Sequence, residues 1–198
     1  MQLVIASHNV HKIREFRAML KHLSKFDILS LLDFPDYHLP PETGKTLEEN
    51  AILKATHAAK TLQTWVIADD SGLVVSALQG APGIFSARYA GEGATDAENR
   101  KKLLFEMQNV PENERQAYFE CWIALASPEG VQKCVRGLCE GVILSKERGN
   151  KGFGYDPLFL KYDYNKSLAE LEEDTKNRIS HRRKALDKIL LTLESVCK

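Results

Sequence analysis

The sequence predicts an α/β protein built on a mixed β-sheet. Strand-like and helix-like segments alternate in the first half of the 198 residues, which is the pattern of parallel strands joined by helices. In the second half, three strand-like runs follow one another around turn residues, which is typical of antiparallel hairpins. Because no repeat and no clean linker separates the halves, we expect one domain over residues 1–198, whose sheet extends through two lobes.

The first half begins with a strand, a loop and a helix. Residues 2–6 are apolar and β-prone, and they stop at the polar residues 7–9. A second strand is expected over residues 26–32, followed by an exposed connection over residues 35–43 that is rich in Pro, Asp and Glu. The first helix carries apolar side chains at helical spacing, at Ile13, Phe16, Met19, Leu20 and Leu23.

A second helix and a third strand come next. Thr46, with Glu49 three residues later, predicts a capping box at the start of the helix. Residues 65–68 predict a buried strand that runs into Asp-Asp-Ser-Gly at residues 69–72, so two acids are expected at a strand end. The helix should bury a stripe of mostly small side chains, Ala51, Ala55, Ala58, Ala59 and Leu62.

The helices and strands after residue 79 are predicted from composition and periodicity in the same way. A loop rich in Gly and Pro covers residues 80–93, and a helix covers residues 95–108. The hairpin strands are expected over residues 117–126, 131–139 and 141–144. A glycine and aromatic loop at residues 151–157 precedes an amphipathic C-terminal helix, with one face formed by Ala185, Leu186, Ile189, Leu190, Leu193 and Val196.

Composition disfavours several classes of protein. Lys and Arg number 27 and Asp and Glu number 27, so no net field draws the chain to nucleic acid or to an anionic membrane. Its longest apolar runs are far shorter than the roughly 20 residues that span a bilayer. Residues 1–8 lack the basic region of a signal peptide, which makes the cytoplasm the expected location. No Cys-x-x-Cys pair occurs, so we expect packing or surface thiols at Cys121, Cys134, Cys139 and Cys197.

The segment Ser-His-Asn-Val-His-Lys at residues 7–12 joins a strand to the start of a helix. Backbone N–H groups, the helix dipole and the Lys12 ammonium at this place suit a bound phosphate. The alternative, which the spacing alone favours, is that Ser7 or Asn9 caps the helix while Lys12 is solvated.

Two adjacent acids, Asp69 and Asp70, follow an apolar strand, where neighbouring side chains point to opposite faces and one acid faces inward. Mg²⁺ is a suitable partner, because it is often held by one or two carboxylates together with substrate phosphates. A plain turn capped by Asp70 is an equal alternative. Glu42, on the loop before the second helix, is a candidate for a second metal ligand, whereas the helix dipole explains Glu48 and Glu49.

Aromatic and basic residues near the C-terminus form a third candidate. Phe153 and Tyr155 flank a glycine and precede Asp156, which suits a platform for a base or ribose, although aromatic residues are more often core. His181 and Arg182 begin the last helix, where cations oppose the dipole, and a ligand that carries acceptor atoms would explain them. A solvated run of charges is the alternative.

Taken together, these segments resemble the inosine/xanthosine triphosphate pyrophosphatase family, whose members hydrolyse non-standard purine nucleoside triphosphates. The resemblance covers nearly the whole chain and rests on six motifs in order. They are Ser-x-Asn-x-x-Lys at residues 7–12, Glu-Thr-Gly-Lys-Thr at 42–46 with Glu49-Asn50-Ala51 and Lys54-Ala55, Ala-Asp-Asp-Ser-Gly-Leu at 68–73, Pro82-Gly83 with Ser-Ala-Arg-Tyr-Ala-Gly at 86–91, Gly-Phe-Gly-Tyr-Asp-Pro at 152–157, and Lys176-Asn177 with Ser-His-Arg at 180–182.

The resemblance implies an elongated mixed sheet with flanking helices, forming two lobes around a central nucleotide cleft. It also implies a homodimer, a Mg²⁺ cofactor, and cleavage of ITP, dITP or XTP to the monophosphate and pyrophosphate. Asp70 would be the general base and a metal ligand, with Glu42 and Asp69 as further metal candidates, and Ser71 would contact the nucleotide. The triphosphate would be held by Ser7, His8, Asn9, Val10, His11 and Lys12. The base and sugar would be held by Phe153, Gly154, Tyr155, Asp156, Lys176, His181 and Arg182.

The chain departs from the family pattern at a few positions. Leu47 and the pair Ser167 and Leu168 are exchanges that affect packing more than chemistry. Pro41 stands where relatives often carry an acid, which leaves the metal ligand of the loop open. His11 replaces a frequent glycine and adds a pH-sensitive donor.

The expected chemistry is attack of a water molecule on the α-phosphorus, with charge neutralised by Mg²⁺ and Lys12. Selectivity would come from the 6-oxo group of the base, which accepts hydrogen bonds from His181 and Arg182, whereas adenine presents an amino donor. Two other functions fit part of the pattern. One is a Maf-like pyrophosphatase for modified pyrimidine or 7-methylguanine nucleotides, and the other is a non-catalytic nucleotide or RNA-binding module, which the neutral charge disfavours.

Overall fold

The computed structural model describes residues 1–196 and has the predicted α/β class with a mixed sheet. The strands are β1 (Gln2–Ile5), β2 (Asp27–Ser30), β3 (Trp65–Val75), β4 (Gln116–Ser127), β5 (Gly130–Ile143) and β6 (Phe159–Lys161). The helices are α1 (Val10–Leu20), α2 (Leu47–Leu62), α3 (Asp96–Glu106), α4 (Glu173–Ile179) and α5 (His181–Val196). Among the described residues, the six strands form one sheet in the order β2-β1-β3-β4-β5-β6.

The sheet is mixed because parallel and antiparallel neighbours coexist in it. Strand β1 pairs in parallel with both β2 and β3, as strands that are joined by helices do. Strand β5 pairs antiparallel with β6. The side chains Leu3, Val4 and Ile5 of β1 are all fully buried, which is the pattern of a strand covered on both faces.

The chain divides into two compact units. Unit 1 comprises Met1–Asp70, Cys121–Gly137 and the described part of Arg182–Lys198. Unit 2 comprises Ser71–Glu120 and Leu138–His181. The boundary passes through β3 directly after its second aspartate, so the two adjacent acids belong to unit 1.

The core of unit 1 consists of two apolar clusters separated by the sheet. Leu3 and Ile5 of β1 belong to a cluster that includes Phe16 of α1 and Leu186 of α5. Val4, which points to the opposite face, belongs to a second cluster that contains the alanine stripe predicted for α2. The alternation along β1 therefore places α1 and α5 on one face of the sheet and α2 on the other.

Unit 2 has a core of its own. Leu73 of β3 and Leu103 of α3 lie in one cluster with Phe119 of β4 and Phe159 of β6, and all four are buried. The two phenylalanine rings are tilted, with centroids 4.8 Å apart. This cluster supports the glycine and aromatic loop, because it also contains the buried ring of Tyr155.

The strands and helices differ from the predicted ones in four places, one of which is the short strand β6, for which no strand was predicted. Asp69 and Asp70 lie inside β3 rather than at its end, because cationic partners allow both acids to stay in a buried strand. The runs predicted separately over residues 131–139 and 141–144 form the single strand β5. Its Gly141 is required by close approach of β6, since a Cβ there would collide with the carbonyl oxygen of Leu160. A short helix, α4, also forms where none was predicted.

None of the helices within residues 1–196 is long and apolar enough to cross a membrane. Cys121 and Cys139 are buried and Cys134 is half-buried, in agreement with the expected packing role. Cys197 lies outside the described residues.

Candidate active site

The loop between β1 and α1 has an ordered turn that positions Lys12. The side chain of Asn9 caps α1, accepting hydrogen bonds from the backbone N–H of His11 at 2.9 Å and of Lys12 at 3.2 Å. The Ser7 hydroxyl accepts one from the N–H of Asn9 at 3.1 Å. Lys12 is not merely solvated, because its ammonium contacts the Asp69 carboxylate at 3.1 Å. The capping alternative is therefore realised together with a buried ion pair.

The remaining predicted residues of this loop face solvent. His8, Val10 and His11 are exposed, and Val10 is the first residue of α1. The positive end of the α1 dipole therefore lies among residues that face solvent. This is the local geometry that anion sites at helix N-termini use.

A buried chain of alternating charges extends from Lys12 into unit 1. Asp69 accepts hydrogen bonds on Oδ2 from Nε and Nη2 of Arg182, at 3.1 and 2.9 Å. The Nη1 group of Arg182 contacts Glu15. Asp69, Glu15 and Arg182 are each less than 5% exposed, so this is an ion network within the core. Burial by itself would raise the pKa of Asp69, yet Lys12 and Arg182 hold it well below its ordinary value.

The second acid of β3, Asp70, has a different set of partners. Lys54 of α2 contacts its Oδ1 at 3.2 Å, and the Asn50 amide donates to its Oδ2 at 3.1 Å. The same Lys54 ammonium lies 2.8 Å from the Glu42 carboxylate. Burial raises the pKa of Asp70 above its ordinary value, against the lowering effect of Lys54 and Lys12.

The two acids point to opposite faces of the sheet, as neighbouring strand residues should. Asp69 contacts side chains from α1 and α5, whereas Asp70 contacts side chains from α2. The two aspartates are adjacent in sequence, but their side chains therefore have different partners and different chemistry. Asp69 pairs with Lys12 and Arg182 through Oδ2, whereas its Oδ1 is buried without a hydrogen-bond partner among the described residues. Asp70 keeps the higher proton affinity.

The loop that carries Glu42 is tied to the start of α2. The N–H of Gly44 donates to the Asn50 side chain at 2.8 Å, and a Cβ on this glycine would collide with that same amide oxygen. Thr46 caps the helix by accepting from the N–H of Glu49. In a capping box the Glu49 carboxylate would accept from the N–H of Thr46 in return. Here it accepts from the N–H of Lys45, one residue earlier. These bonds fix the loop against the start of α2, and the Lys54 ammonium holds Glu42 beside the same helix.

The described residues contain no group of three or more His, Cys, Asp or Glu side chains that could hold a metal ion. Asp70 and Glu42 are two oxygen donors that converge on one cation, the Lys54 ammonium. A pair of carboxylates fits Mg²⁺, which is often held by one or two carboxylates and takes its other ligands from water and substrate phosphates. The donor set is therefore compatible with the expected cofactor as a partner of a bound phosphate group.

In unit 2, the glycine and aromatic loop forms a second cluster. Lys176 of α4 contacts the Asp156 carboxylate at 2.5 Å, and its ammonium lies 4.6 Å from the centroid of the Phe153 ring. Asp156 also accepts from the N–H of Phe153 at 2.9 Å. Gly152 has φ of +75°, and a side chain there would meet the Asp156 carboxylate. The loop is thus folded around one buried acid.

The rest of the loop is held by residues outside the predicted set. Arg100 of α3 donates to the carbonyl of Gly154 at 2.9 Å, and Asp96 accepts from the N–H of the same glycine at 2.6 Å. The Tyr155 hydroxyl donates to the carbonyl of Ser86 at 2.9 Å. Tyr155 is buried, so its ring serves the core of unit 2 and Phe153 is the more exposed aromatic residue of the loop.

Two polar side chains near the end of unit 2 complete this cluster. The His181 ring is buried and stacks on Phe119, with centroids 4.8 Å apart and planes 14° apart. The side-chain amide of Asn177 is buried, and neither its oxygen nor its nitrogen has a hydrogen-bond partner among the described residues. Ser71, the first residue of unit 2, is half-buried on β3.

The structure therefore sorts the predicted site residues into two groups. Unit 1 holds the loop at residues 7–12 with the three acids and Arg182, and unit 2 holds the loop at residues 153–156 with Ser71, Lys176 and His181. His181 and Arg182 are adjacent in sequence, but the Arg182 guanidinium contacts Asp69 and Glu15 of unit 1.

Several participants were not predicted from the sequence. Asn50 and Lys54 are four residues apart on α2, so they share a face that the periodicity could have indicated. Glu15 follows Lys12 by three residues on α1 and shares its face in the same way. Asn177, like Asn50 and Lys54, lies in a motif that carries the family resemblance but received no role from it, and no local signal marks Arg100.

Nearly the whole chain is similar to known proteins. The model of the Ham1 family matches residues 3–191. A protein named dITP/XTP pyrophosphatase from Protochlamydia amoebophila is 57% identical over 197 residues, which is 99% of each chain. The Ham1 protein of Staphylococcus aureus has a TM-score of 0.86 and 42% identity, and a HAM1 protein from Coxiella burnetii has a TM-score of 0.87 and 40% identity. Each alignment covers 98% of this chain and 99% of the other. These likenesses confirm the resemblance drawn from the six motifs, and the chain belongs to the Ham1 family.

Proposed function

We propose that this chain hydrolyses the non-standard purine nucleoside triphosphates ITP, dITP and XTP to the monophosphate and pyrophosphate. The observation that carries the proposal is the pair of adjacent carboxylates on β3, Asp69 and Asp70, each in contact with a lysine from a different helix. Relatives that are more than half identical to this chain bear the name dITP/XTP pyrophosphatase. The arrangement suits a highly charged triphosphate and a reaction that needs a base.

We assign the triphosphate to the loop at residues 7–12. The side chain of Lys12 is 16% exposed, so its ammonium can contact a phosphate while it remains paired with Asp69. The cap supplied by Asn9 fixes the turn, so that the positive end of the α1 dipole acts beside the same ammonium. In the proposed reaction, Lys12 neutralises charge that develops on the leaving pyrophosphate.

We assign the general base to Asp70. Burial raises its pKa, and a carboxylate with a raised pKa is a better proton acceptor. Asn50 and Lys54 each contact one of its two oxygens, which fixes the orientation of the carboxylate. In the proposed reaction, Asp70 takes a proton from the water that attacks the α-phosphorus, and pyrophosphate leaves.

Asp70 and Glu42 are the residues that would hold Mg²⁺. Asp69, the third acid expected at the metal, is already bonded by Lys12 and Arg182, so we place it outside the ligand set. When bound, Mg²⁺ would neutralise negative charge on the phosphates. The role that remains for Asp69 is to hold Lys12 in the orientation that serves the triphosphate.

We assign the base of the nucleotide to the cluster in unit 2. Phe153 offers an aromatic face, and Lys176 and His181 offer donors that suit the 6-oxo group of hypoxanthine or xanthine. Adenine presents an amino group at the same position, which would leave a buried donor facing another donor. Three of the five N–H donors of Arg182 are held by Asp69 and Glu15, and Arg182 is only 1% exposed, so we give His181 and Lys176 the principal part.

The family resemblance also implies a homodimer that works in the cytoplasm, and we retain both as part of the proposal. Light scattering of the purified protein tests the first, with a mass near twice the 22.3 kDa of one chain as the expected result. Fractionation of the native host tests the second.

The site of attack is tested by hydrolysis of dITP in oxygen-18 water with Mg²⁺, followed by mass spectrometry of both products. The proposal expects one oxygen-18 atom in the nucleoside monophosphate and none in the pyrophosphate. Label in the pyrophosphate would show attack at the β-phosphorus, and release of orthophosphate would show a different reaction. Either result overturns the proposed mechanism.

A further inference from the structure

Lys54 occupies the space between the two carboxylates that would hold a divalent cation. Its ammonium lies 2.8 Å from Oε1 of Glu42 and 3.2 Å from Oδ1 of Asp70. Lys54 is only 5% exposed and Asp70 only 8%, whereas the side chain of Glu42 is 33% exposed, so the ammonium lies between a buried carboxylate and one that solvent reaches. The second oxygen of Asp70 accepts from Asn50 at 3.1 Å, which means that both oxygens of Asp70 are already engaged.

A divalent cation and the Lys54 ammonium compete for the same oxygens. Mg²⁺ requires oxygen ligands at about 2.0–2.1 Å in a near-octahedral arrangement. An ion that took both carboxylates would lie where the ammonium now lies, and two positive charges so close together repel each other in a site that is partly screened from water. Binding of the ion therefore requires Lys54 to move to another anion.

A bound triphosphate changes the competition between the ion and Lys54 in two ways. Its oxygens offer a new anionic partner for Lys54 and, at the same time, the additional oxygen ligands that a pair of carboxylates leaves open to the ion. No group of three or more His, Cys, Asp or Glu side chains within residues 1–196 could hold the ion by itself. Both effects make the affinity for the ion depend on the nucleotide.

We propose that Lys54 is an internal counter-cation that keeps Glu42 and Asp70 from binding a divalent ion until a nucleoside triphosphate is present. The inference rests on the proposed function, because it takes a triphosphate as the group that draws Lys54 away. Lys54 is thus a positioning residue that couples two binding events. By linkage, the ion and the nucleotide must raise each other's affinity by the same factor, and part of that factor depends on Lys54.

The test is titration of Mn²⁺, which accepts the same oxygen ligands as Mg²⁺ and is counted by its electron paramagnetic resonance signal. Wild-type protein is compared with Lys54→Met, which removes the charge and keeps most of the side-chain length. Lys60→Met is the matched control, because Lys60 lies on the same helix and is exposed. Without nucleotide, we expect Lys54→Met to bind Mn²⁺ about tenfold more tightly than both wild type and the control.

A second titration includes the α,β-methylene analogue of dITP, which cannot be cleaved between the α- and β-phosphates. The analogue should tighten Mn²⁺ binding strongly in wild type and by a smaller factor in Lys54→Met. If Lys54→Met does not fold, judged by circular dichroism, Lys54→Gln takes its place, because an amide keeps a hydrogen bond to the carboxylates.

Two results would overturn the proposal. One is an affinity of the folded Lys54 variant for Mn²⁺, without nucleotide, that is no tighter than that of wild type. The other concerns wild type alone, and it is an equal affinity for Mn²⁺ with and without the analogue. Neither titration involves turnover, so their outcome is separate from that of the product analysis, which decides whether dITP is a substrate.

Discussion

Arg182→Met should unfold more easily than wild type by about 3–5 kcal/mol, because it leaves buried carboxylates without their shared cation. The guanidinium contacts Asp69 with two of its nitrogens and Glu15 with the third, and all three residues are less than 5% exposed. Methionine keeps an apolar stem of similar length, so the change tests the charge more than the packing, although it also removes the guanidinium that lies 5.9 Å from the centroid of the Phe16 ring. Asp69 keeps Lys12, which places the loss within this range rather than above it.

Urea denaturation at neutral pH measures the change directly. The matched control is Arg183→Met, because Arg183 is the next residue and pairs with Asp187 in a partly exposed salt bridge one helical turn away. Such surface pairs contribute about 0–1 kcal/mol. In thermal denaturation, the loss in Arg182→Met corresponds to a fall in Tm on the order of 10 °C. The reasoning is refuted if Arg182→Met and Arg183→Met lose the same small amount of stability.

Three further outcomes follow from the same contacts. Asp70→Asn should lower kcat for dITP by at least about a hundredfold with little change in Tm, because it removes the proposed base and keeps its volume; near-normal turnover would exclude Asp70 as the base. Lys176→Met should raise KM for dITP more than it lowers kcat, measured by initial rates, whereas a loss confined to kcat would contradict a role in base binding. The pKa of Asp69 is lowered by its cationic partners, so the stability that it contributes is present above the unfolded value near 3.9 and is lost as the pH falls through the folded value. Denaturation between about pH 5 and pH 2 should therefore show a steeper loss for wild type than for Asp69→Asn, and equal slopes in this range would refute the assignment.

The first half of the fold could be predicted because its periodicity is strong and local. The apolar run of β1 and the alanine stripe of α2 are visible without knowledge of the partners. The continuation of β3 past Asp69 was not predictable in the same way, because Asp-Asp-Ser-Gly has the composition of a turn. Only the buried cations that surround the acids show why the strand goes on.

Short elements and glycines in strands account for the other differences. Gly141 has the appearance of a break, but it stays within β5 because the backbone of β6 passes too closely for a side chain. Strand β6 has three residues, and α4 has seven, which is too short for hydrophobic periodicity to stand out.

The sequence predicted a set of residues for the candidate site, but it did not predict which of them contact one another. Lys12 and Asp70 were named from their neighbourhoods, but the sequence did not show that Lys54 would contact Asp70, or that Arg182 would contact Glu15. Arg182 and Glu15 are 167 residues apart, and Arg182 and Asp69 are 113 residues apart. Pairs so distant in sequence are joined by tertiary packing, for which a single sequence carries no local signal.

The measurement that tests the central claim most directly is kcat/KM for a panel of nucleotides, with released pyrophosphate quantified in the presence of Mg²⁺. The panel contains dITP, XTP, dATP, dGTP, a modified pyrimidine triphosphate and 7-methyl-GTP. The account predicts pyrophosphate from dITP and XTP, with a preference over dATP of about a hundredfold or more, because adenine leaves buried donors unpaired. Equal rates with dITP and dATP, or a preference for the modified pyrimidine or the methylated guanine, would contradict it.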